Sequence, residues 1–177
     1  DEIHHVRSRR QLQMCIRGSN TVGKVLRKPI VETTEDEYDD MFAINSKAAF
    51  FFLQEAGKRC NDDATIITIV TSLLAAYTDG YATYAGGKSP VEHFTRAASK
   101  EFANRGIRVN SIAPGPMDTP FFYPQETPER VEFHKSQALG NRLTTIEDIA
   151  PIATFLCTDG GWITGQTLFA NGGYTTR

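Results

Sequence analysis

Ile66-Ile67-Thr68-Ile69-Val70-Thr71-Ser72 is the stretch on which the fold turns. All but its last residue are β-branched, and no charged side chain interrupts it. Such a run suits an inner strand of a parallel sheet, buried on both faces. Asn61-Asp62-Asp63 turns the chain into this strand, which is read as ending near Ser72.

On the upstream side, Thr34-Glu35-Asp36-Glu37 has the form of a helix-opening capping box, with acidic side chains where a helix start favours negative charge. Apolar residues then recur at helical period from Tyr38 to Ala56, and Lys58 and Arg59 close the helix. On the downstream side a second helix is expected from Tyr81 to Asn104, stopped by Gly106. Ile107 to Ala113 reads as a short strand cut by Pro114-Gly115-Pro116.

Residues 119–140 read as a partly helical excursion over a site, with Phe121, Phe122 and Tyr123 at its front. Thr144-Thr145-Ile146-Glu147 offers a second capping box for a helix through Leu156, and Gln166 to Ala170 reads as a last strand. Alternating strands and helices with short turns imply βαβ units and a three-layer α/β fold on a parallel sheet. Leu12 to Gly18 is a weak, interrupted strand at best.

Composition narrows the function. The chain has 177 residues, enough for one domain with a real core, and its 40% apolar and 23% charged residues are ordinary for a globular protein. A formal charge of −2 gives no reason to expect nucleic acid or an anionic membrane as partner. The basic cluster Arg7, Arg9, Arg10 and Arg17 reads as a solvated tail. Cys15, Cys60 and Cys157 form no CxxC pair, which argues against a disulfide framework or zinc site and suits a reducing compartment. The histidines at 4, 5, 93 and 134 show no metal-ligand spacing, so no metal is expected; His93 and His134 are taken as surface or interface residues. No stretch is long and apolar enough to span a bilayer and no signal pattern opens the chain, so the cytoplasm is the default expectation.

Chemistry concentrates around the same strand. Tyr84 and Lys88 in Tyr84-Ala85-Gly86-Gly87-Lys88 lie one helical turn apart on a common face. A free phenol titrates near pH 10, and an adjacent ammonium is expected to bring it down towards the range useful for acid–base work. Ser72 can hydrogen-bond a substrate oxygen as charge builds on it. Thr71 is the adjacent candidate, but in a continuing strand its side chain points the other way. Gly86 and Gly87 are costly inside a helix, as is Pro90 beyond a first turn; either a close approach or a late helix start would account for them.

With these residues in view, the chain resembles the short-chain dehydrogenase/reductase family. The resemblance rests on Ser72 and Tyr84-x-x-x-Lys88; on Asn20-Thr21-Val22-Gly23, which departs at Thr21 and Val22; and on Asn45. Arg108 to Gly115, Thr119, Ile163-Thr164-Gly165-Gln166 and Asn171-Gly172-Gly173 extend it. It implies a doubly wound Rossmann-like sheet and reversible hydride transfer between NAD or NADP and a small carbonyl or alcohol substrate. Tyr84 would be the acid/base, Lys88 its electrostatic partner, Ser72 the carbonyl anchor, and Asn45 the holder of a water relaying protons. Lys88, with Tyr84, would also meet the nicotinamide ribose. Asn20 and Gly23 would border the adenine-ribose side, and Pro114, Gly115 and Thr119 would flank the nicotinamide. The helices 34–60 and 81–104 pair subunits in the family, implying a homodimer or homotetramer.

One departure is large. Nothing matches the family's GxxxGxG phosphate turn or the residue that chooses NAD or NADP. The expected domain is therefore N-terminally truncated: an atypical segment 1–19, then the C-terminal part of a single Rossmann-like domain over 20–177, with the strand before Asn20 left as an exposed edge. Without that turn the cofactor contacts look too few for tight binding. The chain starts at Asp1, and three readings stay open: part of a longer protein, a variant with an unrelated start, or a genuine truncation. In the last, a catalytically weak or inert chain would act through self-association or by pairing with a full-length relative. A metal-dependent hydrolase is disfavoured, because neither a ligand cluster nor a nucleophile–His–acid set is visible.

Overall fold

The structure, a computed structural model, describes residues 16–76 and 78–176. The expected strand over Leu12 to Gly18 lies partly outside them, as do His4, His5, Arg7, Arg9, Arg10 and Cys15. Four strands form one parallel sheet in the order β1 (Arg17–Asn20), β2 (Thr65–Ile69), β3 (Arg108–Pro114) and β4 (Thr167–Ala170). β1 is the edge expected beside Asn20; it begins at Arg17, so it straddles residue 19.

Among the described residues there are five α-helices, α1 (Glu35–Phe42), α2 (Ala48–Arg59), α3 (Ala82–Glu101), α4 (Pro128–Ser136) and α5 (Ile146–Cys157), of which α2, α3 and α5 pack on the sheet. Alternation along the strands assigns the two faces. Ile66 and Val109 pack with Leu53 and Ala56 of α2 and Ala98 of α3, while Ile67 and Ile112 pack with Ile149 and Leu156 of α5. Helices on both faces of a parallel sheet make the expected three-layer, Rossmann-like architecture. No helix among the described residues is long and apolar enough to cross a membrane.

The capping box at Thr34 and Glu37 forms as the sequence implies. That of α5 is displaced by one residue: Thr145 caps it and Asp148, rather than Glu147, completes the box. Gly106 ends the α3 region at φ 66°, and a Cβ there would lie 2.1 Å from Asp63 Oδ1. The long upstream helix is not uniform. A π-helical turn over Ala43–Lys47 joins α1 to α2, and inside it Asn45 Nδ2 donates to Met41 O one turn back. Such turns occur often at functional sites.

Gly86 and Gly87 sit inside a regular helix that starts at Ala82, so a late start is not their reason. A Cβ at Gly87 would come within 3.2 Å of Met41 O and 3.3 Å of Asn45 Cβ, and one at Gly86 within 3.4 Å of Phe42. Close packing of α3 on the α1–α2 junction accounts for Gly87, whereas Gly86 has room for a methyl group. Pro90 likewise lies well inside α3 rather than in its first turn.

Between α3 and the sheet lie three buried hydroxyls. Thr68, Thr95 and Ser111 are mutually hydrogen-bonded at 3.1, 2.7 and 2.8 Å. Each hydroxyl can donate once and accept, so the triangle satisfies itself without charge.

Candidate active site

The carboxyl ends of the strands release the chain into the segments that build a site, where ligands bind in open parallel sheets. A cavity of about 350 Å³ opens there. Ser72, Tyr84, Lys88, Gly23, Pro114, Gly115 and Thr119 all border it, joined by Thr71, Leu73, Met117, Phe121 and Phe122. Asn20 and Asn45 do not. Asn20 Oδ1 accepts from Val22 N at 3.0 Å and shapes the turn after β1.

Lys88 is buried and held by backbone: Nζ donates to Val22 O at 3.1 Å and to Ile69 O at 3.0 Å. Asn45 stands behind it. Its Oδ1 accepts from Lys24 N at 3.1 Å and its Nδ2 donates to Lys24 O at 2.8 Å, so it fixes the loop containing Gly23. A Cβ at Gly23 would lie 3.1 Å from Lys88 Nζ and 3.2 Å from Asn45 Oδ1. Glycine here keeps the ammonium reachable.

The phenol and the ammonium do not behave as their spacing implies. Burial pushes Tyr84 up to about 12, opposed only by its hydrogen bond with Thr71. Burial pushes Lys88 down to about 8. Removing each polar group from water favours its neutral form. Tyr84 is therefore a neutral phenol at pH 7.

The strand expected to run to Ser72 stops earlier. β2 ends at Ile69, and Thr71 becomes the cap of a short turn over Ser72–Leu74, so side chains no longer alternate as in a strand. Thr71 faces the cavity and meets the Tyr84 phenol, although strand geometry points it away. Ser72 Oγ is engaged elsewhere: it donates to Ala113 O at 3.1 Å and accepts from Asn171 Nδ2 at 3.0 Å.

Of the aromatic front, Phe121 and Phe122 line the cavity, the Phe121 ring lying 6.3 Å from that of Tyr84. Tyr123 is exposed and bonds Asp118 instead. His93 is exposed, as expected. His134 is not a surface residue: it is buried, borders the cavity, and bonds Tyr174 and Glu126. The sequence reading missed it together with Tyr81, Glu126 and Tyr174. The spacing of four between Glu126, Arg130 and His134 was the available signal. Among the described residues no cluster of His, Cys, Asp or Glu could hold a metal ion.

Comparison with known proteins agrees with this fold. Residues 10–175 match a family model described as enoyl-(acyl carrier protein) reductase. An Arabidopsis thaliana NADPH-dependent aldehyde reductase-like protein is 34% identical over 148 residues, covering 82% of this chain and 55% of that protein. A Picea abies short-chain type dehydrogenase/reductase is 35% identical, with 81% and 54% covered. Among solved structures, a Burkholderia cenocepacia protein assigned as a dehydrogenase, with NADP bound, superposes with a TM-score of 0.93 at 53% identity, covering 99% of this chain and 68% of that one. The angucycline C-6 ketoreductase LanV with bound NADP gives 0.87 at 28% identity, with 97% and 66% covered. The chain spans about half the length of the curated relatives it matches. On the family match and the shared fold together, the chain belongs to the short-chain dehydrogenase/reductase family.

Proposed function

We propose that these residues form the acid–base and substrate-binding part of an NADP-dependent carbonyl reductase. The observation that carries this reading is the convergence of Thr71, Tyr84 and Lys88 on one largely apolar cavity at the carboxyl edge of the sheet. The cofactor side of that cavity suits a nicotinamide nucleotide. Lys88 uses two N–H groups on backbone carbonyls and keeps a third for a ribose hydroxyl, and Gly23 leaves it accessible. Thr21, Pro114, Gly115 and Thr119 complete the wall. NADP is favoured over NAD because the Burkholderia and LanV structures hold it and the Arabidopsis relative is named for NADPH. The cofactor, when bound, supplies the hydride.

Tyr84 donates its phenolic proton to the carbonyl oxygen as that oxygen gains charge, giving the alcohol and a phenolate. With substrate bound, Thr71 turns its single O–H from the Tyr84 oxygen to the carbonyl oxygen and holds the carbonyl against Tyr84; this role passes to Thr71 from Ser72, whose hydroxyl braces the loop. Lys88, ammonium below about pH 8, stabilises the transient phenolate. Asn45 positions the Gly23 loop beside Lys88, and the proton relay through it remains part of the proposal. Leu73, Met117, Phe121 and Phe122 favour an apolar carbonyl substrate.

The test is NADPH oxidation against a panel of apolar ketones and aldehydes, comparing the protein with Tyr84→Phe. The variant is expected to lose about 10²-fold or more of the rate; equal turnover by both overturns the assignment. A second reading, association with another copy of the chain as a dimer or tetramer, is favoured by Phe50 and Phe51 exposed on α2. Sedimentation over a concentration series separates it from a monomer.

A further inference from the structure

The segment 119–140 is tied to the body of the protein through one carboxylate. Glu126 has a side chain with no exposed surface, and it gathers three donors. Its Oε1 accepts from the Tyr81 hydroxyl and lies 3.2 Å from His134 Nε2; its Oε2 accepts from Arg130 Nε at 2.7 Å. His134 Nδ1 in turn meets the Tyr174 hydroxyl at 2.9 Å. A second set of bonds runs parallel. Arg130 and Arg27 both reach Asp79 at 3.3 Å, and Arg27 N donates to Gln125 Oε1 at 3.0 Å.

What this carboxylate holds is the start of the reactive helix. Tyr81 is the N-terminal cap residue of α3, its carbonyl receives the Ala85 N–H at 2.8 Å, and it precedes Tyr84 by three residues. The Tyr81 ring lies 6.3 Å from the Tyr84 ring on one side, and Phe121, from the covering segment, lies 6.3 Å away on another. The phenol that donates the proton thus sits between two rings whose placement depends on the position of the covering segment. Apolar packing could close the cavity without fixing that placement; directed bonds from one carboxylate fix it.

We propose that Glu126 is a positioning residue, coupling the segment over the cavity to the orientation of Tyr84 through Tyr81. The proposal rests on the reading of Tyr84 as the proton donor. It assigns Glu126, and His134 behind it, a role in the reaction without contact with the reacting atoms.

The experiment is ¹³Cζ-tyrosine NMR of the protein, with the Tyr84 resonance assigned from Tyr84→Phe, together with hydrogen exchange and carbonyl turnover. Glu126→Gln places an amide N–H₂ against donors, and Tyr81→Phe removes one donor while keeping the ring. Tyr81→Phe also serves if the Glu126 variant does not fold. Both are expected to move the Tyr84 resonance and to speed amide exchange at least tenfold in residues 119–140 and 82–86, with β2 and β3 unchanged. A Tyr84 resonance unmoved in a folded variant overturns the coupling. If that happens while the parent protein turns over carbonyls and Tyr84→Phe does not, the coupling fails and the oxidoreductase reading stands. If the resonance moves yet no carbonyl is reduced, the coupling holds and the oxidoreductase reading falls.

Discussion

The floor of the cavity and its cover are built by opposite means. On the floor and directly behind it, Lys88, Ser72 and Asn45 are fastened mainly to backbone carbonyls and amides of strand ends and loops, at 2.8 to 3.1 Å. In the cover, Glu126, Arg130, His134 and Tyr174 are fastened to one another and to Tyr81 by side chains. Backbone-anchored groups keep their places whatever the side chains nearby become. A cover held by titratable side chains can be altered one residue at a time. On the proposed function, the acid–base chemistry belongs to the first region and substrate choice to the second.

Substitutions can break this contrast, beginning with the largest effect. Tyr84→Phe should remove about 10²- to 10⁴-fold of turnover while leaving thermal unfolding nearly unchanged, as a steady-state assay beside a melting curve would check. Next comes Lys88. Its folded-state value of about 8 lies below the ordinary 10.5, so at pH 7 the fold bears the full cost of a buried ammonium. As pH rises from 8 towards 10 the folded chain loses that proton before the unfolded chain does, and stability rises, by on the order of 3 kcal/mol at most. Tyr84 acts in the opposite sense only above pH 10, where the unfolded phenol ionises first. Urea unfolding at pH 7.5 and 9.5 should show the gain in the parent and not in Lys88→Met.

Gly87→Val tests the helix junction under the floor. The added side chain meets a backbone oxygen that cannot yield, and a loss of about 1 to 3 kcal/mol is expected by urea unfolding. Thr71→Val against Ser72→Ala sharpens the assignment of the two hydroxyls. The first should lower turnover about tenfold or more and cost about 1 kcal/mol with the lost cap to Leu73 N; the second should cost about 1 kcal/mol by freeing Asn171 while turnover changes little. At the small end, Tyr123→Phe loses only an exposed bond to Asp118 and should stay within about 0.5 kcal/mol.

The same contrast explains what could be read from residues in a row. The β-branched run, the capping box at Thr34 and the turn-apart Tyr84 and Lys88 are local patterns with a fixed period, and the structure repeats them. Thr71 was misjudged because its direction depends on β2 ending at Ile69, two residues before the apolar run does. The α5 cap moved by one for a similar reason: Thr144 and Thr145 are equal candidates until Asp148 finds its bond to Thr145 N. The ionisation of Tyr84 and Lys88 could not be judged from spacing, since burial is a tertiary property. His134 escaped because α4 carries no sustained apolar face; of its residues only Val131 and His134 are buried. A carboxylate such as Glu126 announces nothing until its three donors arrive from distant parts of the chain.

The triangle of Thr68, Thr95 and Ser111 has a consequence for alignment. Oily contacts between α3 and the sheet tolerate a small rotation or slide at almost no penalty, because they have no direction. Hydroxyls do not, so three of them pin the helix at one azimuth. Thr68 stands three residues before Thr71, and Thr95 two turns beyond Lys88 on the helix that bears the phenol. On the proposed function, the pin therefore meters the gap across which a proton would pass. Replacing all three with valine or alanine would leave a sound fold in which that gap is no longer set.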